Sequence, residues 1–250
     1  MNNQHLNEKK TRLSVDYFEK MHIIKNRKED EVAIMLIQFN FKNFRSFREE
    51  VTLDLSATKM TEFSERVVTI GSEKILPIAA IYGANASGKS NIYSAFEYMS
   101  EYVVDSFKYG DEEEKFEEYR PTPFLFDSTS ADAESSFEVY FTIPGDKNEK
   151  TYNYGFCVDQ EGVTEEWLNS KAKTARKYST VFYRGNSDSE LDLSGLPKNS
   201  RDNIKIALEK QVLIASLGAK LKISKCKAIR DWFLINEFAD FGDPVTNFFL

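Results

Sequence analysis

The chain has 250 residues, of which 41% are hydrophobic, so it is long enough to bury a substantial core in one domain or in one domain with a lobe. Its net charge of −7 at pH 7 argues against a protein that coats nucleic acid, although a local basic patch stays open. The two histidines, His5 and His22, lie in the polar N-terminal stretch, which excludes a His-based metal site or a Ser-His-Asp triad.

Cysteine usage and hydropathy indicate the compartment. Cys157 and Cys226 are far apart and form no CxxC pair, which favours two buried thiols in a reducing environment. The sequence contains no signal-peptide pattern and no stretch of about 18 apolar residues. These features predict a cytoplasmic protein that does not span a membrane.

The first part of the chain is polar. Residues 1–34 are rich in Asn, Lys, Glu and Arg, and we interpret them as a polar N-terminal extension. Apolar side chains between residues 13 and 21 share a helical face, so a docking helix is the alternative to a mobile extension.

A compact domain begins at Met35. Residues 36–41 and 51–56 alternate apolar and polar side chains, which predicts two antiparallel strands. The connection between them carries Arg45 and Ser46, which are either ordinary turn residues or phosphate contacts. A short strand at 67–70 and a turn at 71–72 follow.

The segment Gly83-Ala84-Asn85-Ala86-Ser87-Gly88-Lys89-Ser90 has the G-x-x-x-x-G-K-S spacing of a phosphate-binding loop. The apolar run at 78–82 predicts a buried parallel strand before it. Apolar positions 92, 96, 99, 103 and 107 predict an amphipathic helix after it. A structural turn is the alternative to nucleotide binding.

The residue types of this loop suit a nucleotide. Gly83 and Gly88 permit a tight turn close to an anion, and backbone amides at the helix N-terminus bind phosphate. Lys89 would reach the β- and γ-phosphates of ATP, and the Ser90 hydroxyl would ligate Mg²⁺. We therefore predict that residues 83–90, together with Asn91, bind MgATP.

Beyond this helix the pattern changes to strands. An acidic run at 111–118 predicts a solvated loop, with an acid–base or metal role as the alternative. Residues 136–143, 151–158, 163–168 and 180–184 alternate as strands, joined by turns at 144–147 and 159–162. We interpret their aromatic side chains as core and cross-strand pairs, with a base-stacking platform as the alternative.

The last quarter of the chain is predicted to be helical, at 201–217 and 225–241, with Gly218 as a cap. Two basic clusters lie in the second half of the chain, at residues 171–177 and 220–230. Either cluster could meet nucleic-acid phosphates, and solvated surface is the alternative.

Residues 35–107 resemble the start of an ABC-type ATPase head. The residues that carry the resemblance are the early strand pair, the connection 43–47 (Asn-Phe-Arg-Ser-Phe) and the phosphate loop. The chain is similar to the prokaryotic AAA-family ATP-binding proteins of the AAA-15 and AAA-21 type, relatives of SMC-like repair ATPases and of the overcoming-lysogenisation-defect nucleases. The resemblance places Arg45 and Ser46 beside the nucleotide, and implies ATPase activity with ATP and Mg²⁺. Many such proteins belong to phage-defence or restriction-linked systems with a partner effector.

The resemblance implies an α/β P-loop NTPase fold, the N-terminal half of an ABC-type head with an inserted antiparallel β-lobe. Residues 35–110 would form the strands, phosphate loop and helix of the ATPase core. Residues 111–190 would form the β-rich lobe, and residues 191–250 a helical segment of a head that is incomplete at its C-terminus.

Two motifs of a complete head are not found. A Walker B strand is apolar and ends in Asp-Glu, which hold Mg²⁺ and activate water. Glu237 and Asp240 instead lie on a helical pattern. Residues 193–196 (Leu-Ser-Gly-Leu) do not make an ABC signature motif, because Pro197 follows at once.

Two functions follow from this reading. The first is the ATP-binding part of an ABC-type ATPase that uses ATP for head dimerisation and conformational switching. Its partners would be a second copy or a C-terminal ATPase half, together with an effector protein, and nucleic acid stays open. The second is a non-hydrolysing, ATP-dependent interaction or regulatory module. A small-molecule P-loop kinase is disfavoured, because the β-lobe and residues 43–47 follow the ABC pattern.

Overall fold

The computed structural model describes residues 35–57, 64–109, 113–143, 150–236 and 238. The predictions for residues 1–34, and those for Glu237 and Asp240, lie outside these residues.

Eight strands are formed within the described part of the chain. They are β1 (Met35–Lys42), β2 (Val51–Asp54), β3 (Val68–Ile70), β4 (Glu73–Ile75), β5 (Ser135–Thr142), β6 (Thr151–Val158), β7 (Val163–Lys171) and β8 (Ser179–Arg184). The sequence predictions of β1 to β3 and of β5 to β8 are confirmed, whereas β4 was not predicted.

Six of these strands make one antiparallel sheet in the order β2-β1-β5-β6-β7-β8, and β3 and β4 form a separate hairpin. Strand β1 pairs with β2 on one side and with β5 on the other. The strands before and after the phosphate loop therefore share one sheet. The division of the chain into a core and an inserted lobe stays a prediction.

Alternation along the strands separates a core face from an outer face. In β5, Phe137, Val139 and Phe141 are fully buried, whereas Glu138 and Tyr140 between them are half-buried. Period-two alternation puts successive side chains on opposite faces of a sheet. The interpretation of the strand aromatics as core is confirmed for the inward-facing ones.

Six α-helices occur among the described residues: α1 (Lys89–Asp105), α2 (Glu113–Glu118), α3 (Ser128–Ala131), α4 (Lys198–Ala207), α5 (Ile214–Lys220) and α6 (Ser224–Leu234). Helix α1 confirms the amphipathic helix predicted after the phosphate loop. Its buried Met99 and Val103 belong to the predicted apolar face. Tyr102 of α1 stacks on Phe156 of β6 with the ring centroids 5.2 Å apart, so α1 packs on the inner face of the sheet.

The single helix predicted at 201–217 is wrong, because α4 ends at Ala207 and α5 begins at Ile214. The interruption has a long-range cause. The Arg184 guanidinium donates to the carbonyls of Glu209 (3.1 Å) and Val212 (2.8 Å), and the Val163 amide donates to the carbonyl of Lys210 (2.9 Å). Carbonyls held by β7 and β8 in this way do not continue an α-helical hydrogen-bond series.

Gly218 lies inside α5 and does not cap it, so that prediction is also wrong. A Cβ at this position would stand 2.5 Å from Cys226 Sγ of α6, so the missing side chain lets the two helices approach closely. Helix α6 ends at Leu234, earlier than the pattern suggested.

The prediction of a solvated loop for the acidic run is wrong for residues 113–118, which form α2 with a buried Phe116. Residues 111 and 112 lie outside the described part.

Both cysteines are buried and unpaired, as predicted. Burial raises the pKa of each thiol to about 12, so both are protonated at neutral pH. Among the residues that the structure describes, no helix has both the length and the apolar content needed to cross a bilayer.

Candidate nucleotide-binding site

The loop with the G-x-x-x-x-G-K-S spacing lies at the N-terminus of α1, on the surface of the molecule. Residues 83–87 are exposed, and Gly88 and Lys89 are half-buried. Two of its residues have left-handed backbones, Ala86 with a φ of 61° and Gly88 with a φ of 89°. A tight turn with left-handed residues points backbone N–H groups toward a common centre, which is a favourable geometry for an anion. A left-handed alanine is strained, and such strain is concentrated at functional sites.

Both glycines of the loop occupy positions that a side chain would disturb. A Cβ on Gly83 would stand 2.7 Å from Ser87 Oγ across the turn. A Cβ on Gly88 would stand 2.9 Å from both Phe47 Cζ and Ser46 Oγ. The second glycine therefore also permits close contact between the loop and the connection that joins β1 and β2.

Lys89 opens α1 and folds back over the loop. Its ammonium group donates to the carbonyl of Gly83 (2.9 Å) and to that of Ala84 (2.7 Å). These two bonds hold the cation against the loop backbone, where it would meet an anion bound to the loop amides. A compact ammonium group on a flexible stem suits this role, because it can turn from carbonyl oxygens to phosphate oxygens.

The structure brings two other predicted site residues, Ser46 and Asn91, together beside the loop. Asn91 Nδ2, in the first turn of α1, donates to Ser46 Oγ at 2.8 Å. Ser90 is exposed in the same turn. Arg45 is exposed beside Ser46, with its guanidinium 5.3 Å from the centroid of the Phe44 ring. The connection 43–47 and the phosphate loop are therefore neighbours in space, although some forty residues separate them in sequence.

The buried parallel strand predicted at 78–82 is wrong. These residues belong to no strand, and Ile78, Ile81 and Tyr82 are 80%, 44% and 90% exposed. A parallel strand exists only with neighbours that complete its hydrogen bonds. Within the described ranges all the strand pairs are antiparallel, and none involves residues 78–82.

Sequence reasoning missed the part played by Asn43, which is buried with a left-handed φ of 51°. Its side-chain amide donates to the carbonyls of Ser130 (2.8 Å) and Ala133 (2.9 Å), and its Oδ1 accepts from the amide of Phe124 (3.0 Å). One side chain thus fastens residues 124–133 to the connection 43–47. The only local signal was an Asn at a turn, the residue type that tolerates a left-handed backbone best after glycine.

The basic clusters are partly engaged within the chain. Lys171 Nζ lies 3.0 Å from Glu73 Oε1, Lys225 donates to the carbonyl of Gly195, and Lys227 pairs with Asp231. In the part of the chain that is described, no group of three or more His, Cys, Asp or Glu side chains is placed to hold a metal ion. Ser90 is the predicted metal ligand from the protein, and it would need phosphate and water oxygens beside it.

Comparison with known families finds a matching family model. A family model described as "AAA domain, putative AbiEii toxin, Type IV TA system" matches residues 78–210, which is more than half of the chain. The chain belongs to this AAA-domain family. No curated protein and no solved structure matches the chain.

Membership of the AAA-domain family confirms the resemblance to the AAA-21 type and gives the chain an ATPase-like, nucleotide-binding character. The AAA-domain match begins with the exposed run at 78–82, includes the phosphate loop and ends in the turn after α4. Strands β1 and β2 and the connection 43–47 precede it, so the contact with Gly88 lies partly outside the matched segment.

Proposed function

We propose that the chain binds MgATP through residues 83–91, with Arg45 and Ser46 beside the nucleotide. The observation that carries the proposal is the left-handed Gly88 at the start of a 17-residue helix, with the Lys89 ammonium held across the exposed loop. A helix N-terminus, a tight turn with left-handed residues and a cation meet there, and each favours a polyphosphate.

Different residues of the loop would bind different parts of MgATP. The loop amides and the first turn of α1 would hold the phosphates, and Lys89 would leave its two carbonyls to neutralise their charge. Ser90 would supply a hydroxyl ligand to Mg²⁺, which stabilises charge on the β- and γ-phosphates. Asn91 would keep Ser46 and the connection 43–47 against the loop through their hydrogen bond.

We infer further that the chain is the nucleotide-binding part of an ABC-type head in the cytoplasm, in which ATP drives dimerisation and switching. The exposed apolar run at 78–82 supports this inference, because neighbouring apolar side chains on the surface before a phosphate loop suit contact with a partner. A C-terminal ATPase half or a second copy of the chain would cover them. A defence system with an effector protein is the setting suggested by the resemblance.

A non-hydrolysing, ATP-dependent interaction module is the second candidate function. None of the strands in the described ranges ends in Asp-Glu, the pair that an ATP-hydrolysing head of this class uses to hold Mg²⁺ and activate water. ATP would then change which partner the chain holds, without being consumed.

Separate measurements of binding and turnover test both candidates. Calorimetric titration of the purified chain with MgATP is expected to show one saturable site, and a chain that takes up no MgATP would contradict the proposal. Phosphate release is measured in parallel. Release that appears when a C-terminal ATPase half is added supports the ATPase, and binding with no release under either condition supports the interaction module.

The contact between Gly88 and the connection 43–47 gives a second prediction. Gly88→Ala is expected to lower the free energy of unfolding by about 1–3 kcal/mol and to weaken MgATP binding at least about tenfold, since the new Cβ is strained and displaces Phe47 and Ser46. Gly71→Ala is the matched control, because Gly71 is also left-handed (φ 61°) but lies in the β3–β4 turn. The control should lose stability alone, and equal ATP affinity in the two variants would refute the prediction.

A further inference from the structure

Two large apolar side chains are exposed in the segment that precedes α3. Leu125 is 66% exposed and Phe126 is 91% exposed. Solvent contact with a side chain of this size is unfavourable, and neighbouring exposed apolar residues on an ordered surface commonly mark a binding site. The segment 121–127 is not used by the phosphate loop itself, so its role needs a separate explanation.

The segment is held firmly on its N-terminal side. The amide of Arg45 donates to the carbonyl of Thr122 at 2.8 Å, and the amide of Phe124 donates to Asn43 Oδ1 at 3.0 Å. Both partners belong to the connection 43–47. The backbone just before Leu125 is therefore fixed to the connection by hydrogen bonds.

The segment is also held on its C-terminal side. Asp127 caps α3, where it accepts from the amide (3.2 Å) and the hydroxyl (2.7 Å) of Thr129, and these bonds hold the pKa of its carboxyl below the ordinary value. Arg48 Nε lies 3.3 Å from Asp127 Oδ2, and Arg48 directly follows the connection 43–47 in the chain. Leu125 and Phe126 are thus displayed from a backbone that is anchored on both sides.

The connection 43–47 also contacts the phosphate loop, so it lies between the loop and the segment that carries Leu125 and Phe126. Ser46 accepts from Asn91 in the first turn of α1, and Phe47 lies directly against the position of Gly88. Arg45, which bonds the segment 121–127, is the residue next to Ser46. The exposed pair is therefore linked to the loop through one short turn of chain.

We propose that Phe126, assisted by Leu125, contacts the base of the nucleotide whose phosphates the loop binds. This inference rests on the proposed function, because it concerns the same ligand. A phenyl ring offers a flat apolar face to a heteroaromatic base, and such stacking tolerates any base because every base has a π-face. The Phe124 ring, 5.7 Å from the Phe126 ring between centroids, supports it from the side.

The test distinguishes the contribution of the base to binding affinity from that of the phosphates. Wild type and Phe126→Ala are each titrated with MgATP and with magnesium tripolyphosphate, which has the phosphates without the base. Phe126→Ala is expected to bind MgATP about 5- to 100-fold more weakly and tripolyphosphate equally well. Phe126→Trp is expected to retain MgATP affinity, and its added indole is expected to change fluorescence when ATP is bound.

Ile206→Ala is the matched control, since Ile206 is an 85% exposed apolar residue on α4. It should leave both affinities unchanged, and urea unfolding checks that each variant is folded. Equal MgATP affinity in wild type and Phe126→Ala would overturn the base contact and leave the proposed function standing. A wild type that binds neither ligand would overturn both.

Two other results would also overturn the base contact. Equal weakening of MgATP and tripolyphosphate in Phe126→Ala would mean that the ring only supports the shape of the loop. An effect confined to protein concentrations at which the chain self-associates, measured by sedimentation, would assign the pair to a contact between copies.

Discussion

Lys89→Ala is expected to weaken MgATP binding about 100-fold, because it removes the charge that phosphate oxygens would meet at the loop. The fold should survive, since among the described residues the Lys89 ammonium bonds the exposed carbonyls of Gly83 and Ala84 and Lys89 is not part of the buried core. Isothermal titration calorimetry measures the affinity, and chemical unfolding measures the stability of the same preparation.

Lys205→Ala is a suitable control for the loss of one positive charge, because Lys205 is exposed on α4. It should bind MgATP as wild type does. Unchanged affinity in Lys89→Ala would count directly against the site. Equal losses in both variants would show that net charge, not the position of the ammonium group, governs binding.

Glu166→Ala is expected to have the largest effect on stability, a loss of about 3–5 kcal/mol in the free energy of unfolding. The Glu166 carboxyl is fully buried. Its Oε2 accepts from the amide of Ile214 at 2.6 Å, and its Oε1 accepts from the amide of Ala215 and the hydroxyl of Tyr154, both at 3.0 Å. Removal of the carboxyl would leave three buried donors without this acceptor at the junction of β7 and α5. Urea unfolding at fixed pH measures the loss.

The same carboxyl makes stability depend on pH. Burial raises the pKa of Glu166 to about 7, and the bonds from Ala215 and Ile214 and the charge of Arg184 oppose that rise only in part. The folded state therefore binds more protons than the unfolded chain between about pH 4.5 and pH 7. This contribution to stability is present in full below the unfolded pKa and is lost as pH rises through 7.

Wild type is accordingly expected to be about 2 kcal/mol less stable at pH 8 than at pH 5.5 on account of this group. Glu166→Gln should remove that difference, because an amide does not titrate. Glu165→Gln is the control, since the neighbouring side chain is half-buried on the other face of β7. The control should keep the pH dependence, and a Glu166→Gln profile parallel to that of wild type would contradict the assignment.

The sequence was most informative where structure depends on local pattern. The alternation in β5 and β6, the amphipathic face of α1 and the spacing of the loop residues all depend on residues a few positions apart. Period-two and 3.6-residue patterns indicate which face is buried before any partner is known. The same patterns identified the buried aromatics of the sheet.

The errors arose where distant residues decide the outcome. A helical pattern ran through 208–213, but Arg184 and Val163 take the carbonyls of that stretch from another part of the chain. The apolar run at 78–82 has the composition of a buried strand, yet a strand forms only when neighbours are present. The bonds of Asn43 to residues 124–133 likewise depend on how the folded chain places two remote segments.

The same distinction applies to the proposed site. The loop residues 83–90 were proposed from their spacing, and Arg45 and Ser46 were proposed from the family resemblance. Leu125 and Phe126 carried no motif. Their exposure becomes visible only when the connection 43–47 and the cap at Asp127 hold the segment in place.

The exposed apolar residues 78–82 also affect the solubility of the protein. The side chains of Ile78 and Tyr82 expose apolar surface, and the backbone of this segment is not paired in the sheet. The net charge of −7 causes electrostatic repulsion between copies of the chain. Added salt weakens that repulsion and leaves the attraction between apolar groups intact. The protein should therefore aggregate at a lower concentration in high-salt buffer than in low-salt buffer. Association through surface ion pairs would show the reverse dependence, because salt weakens ion pairs.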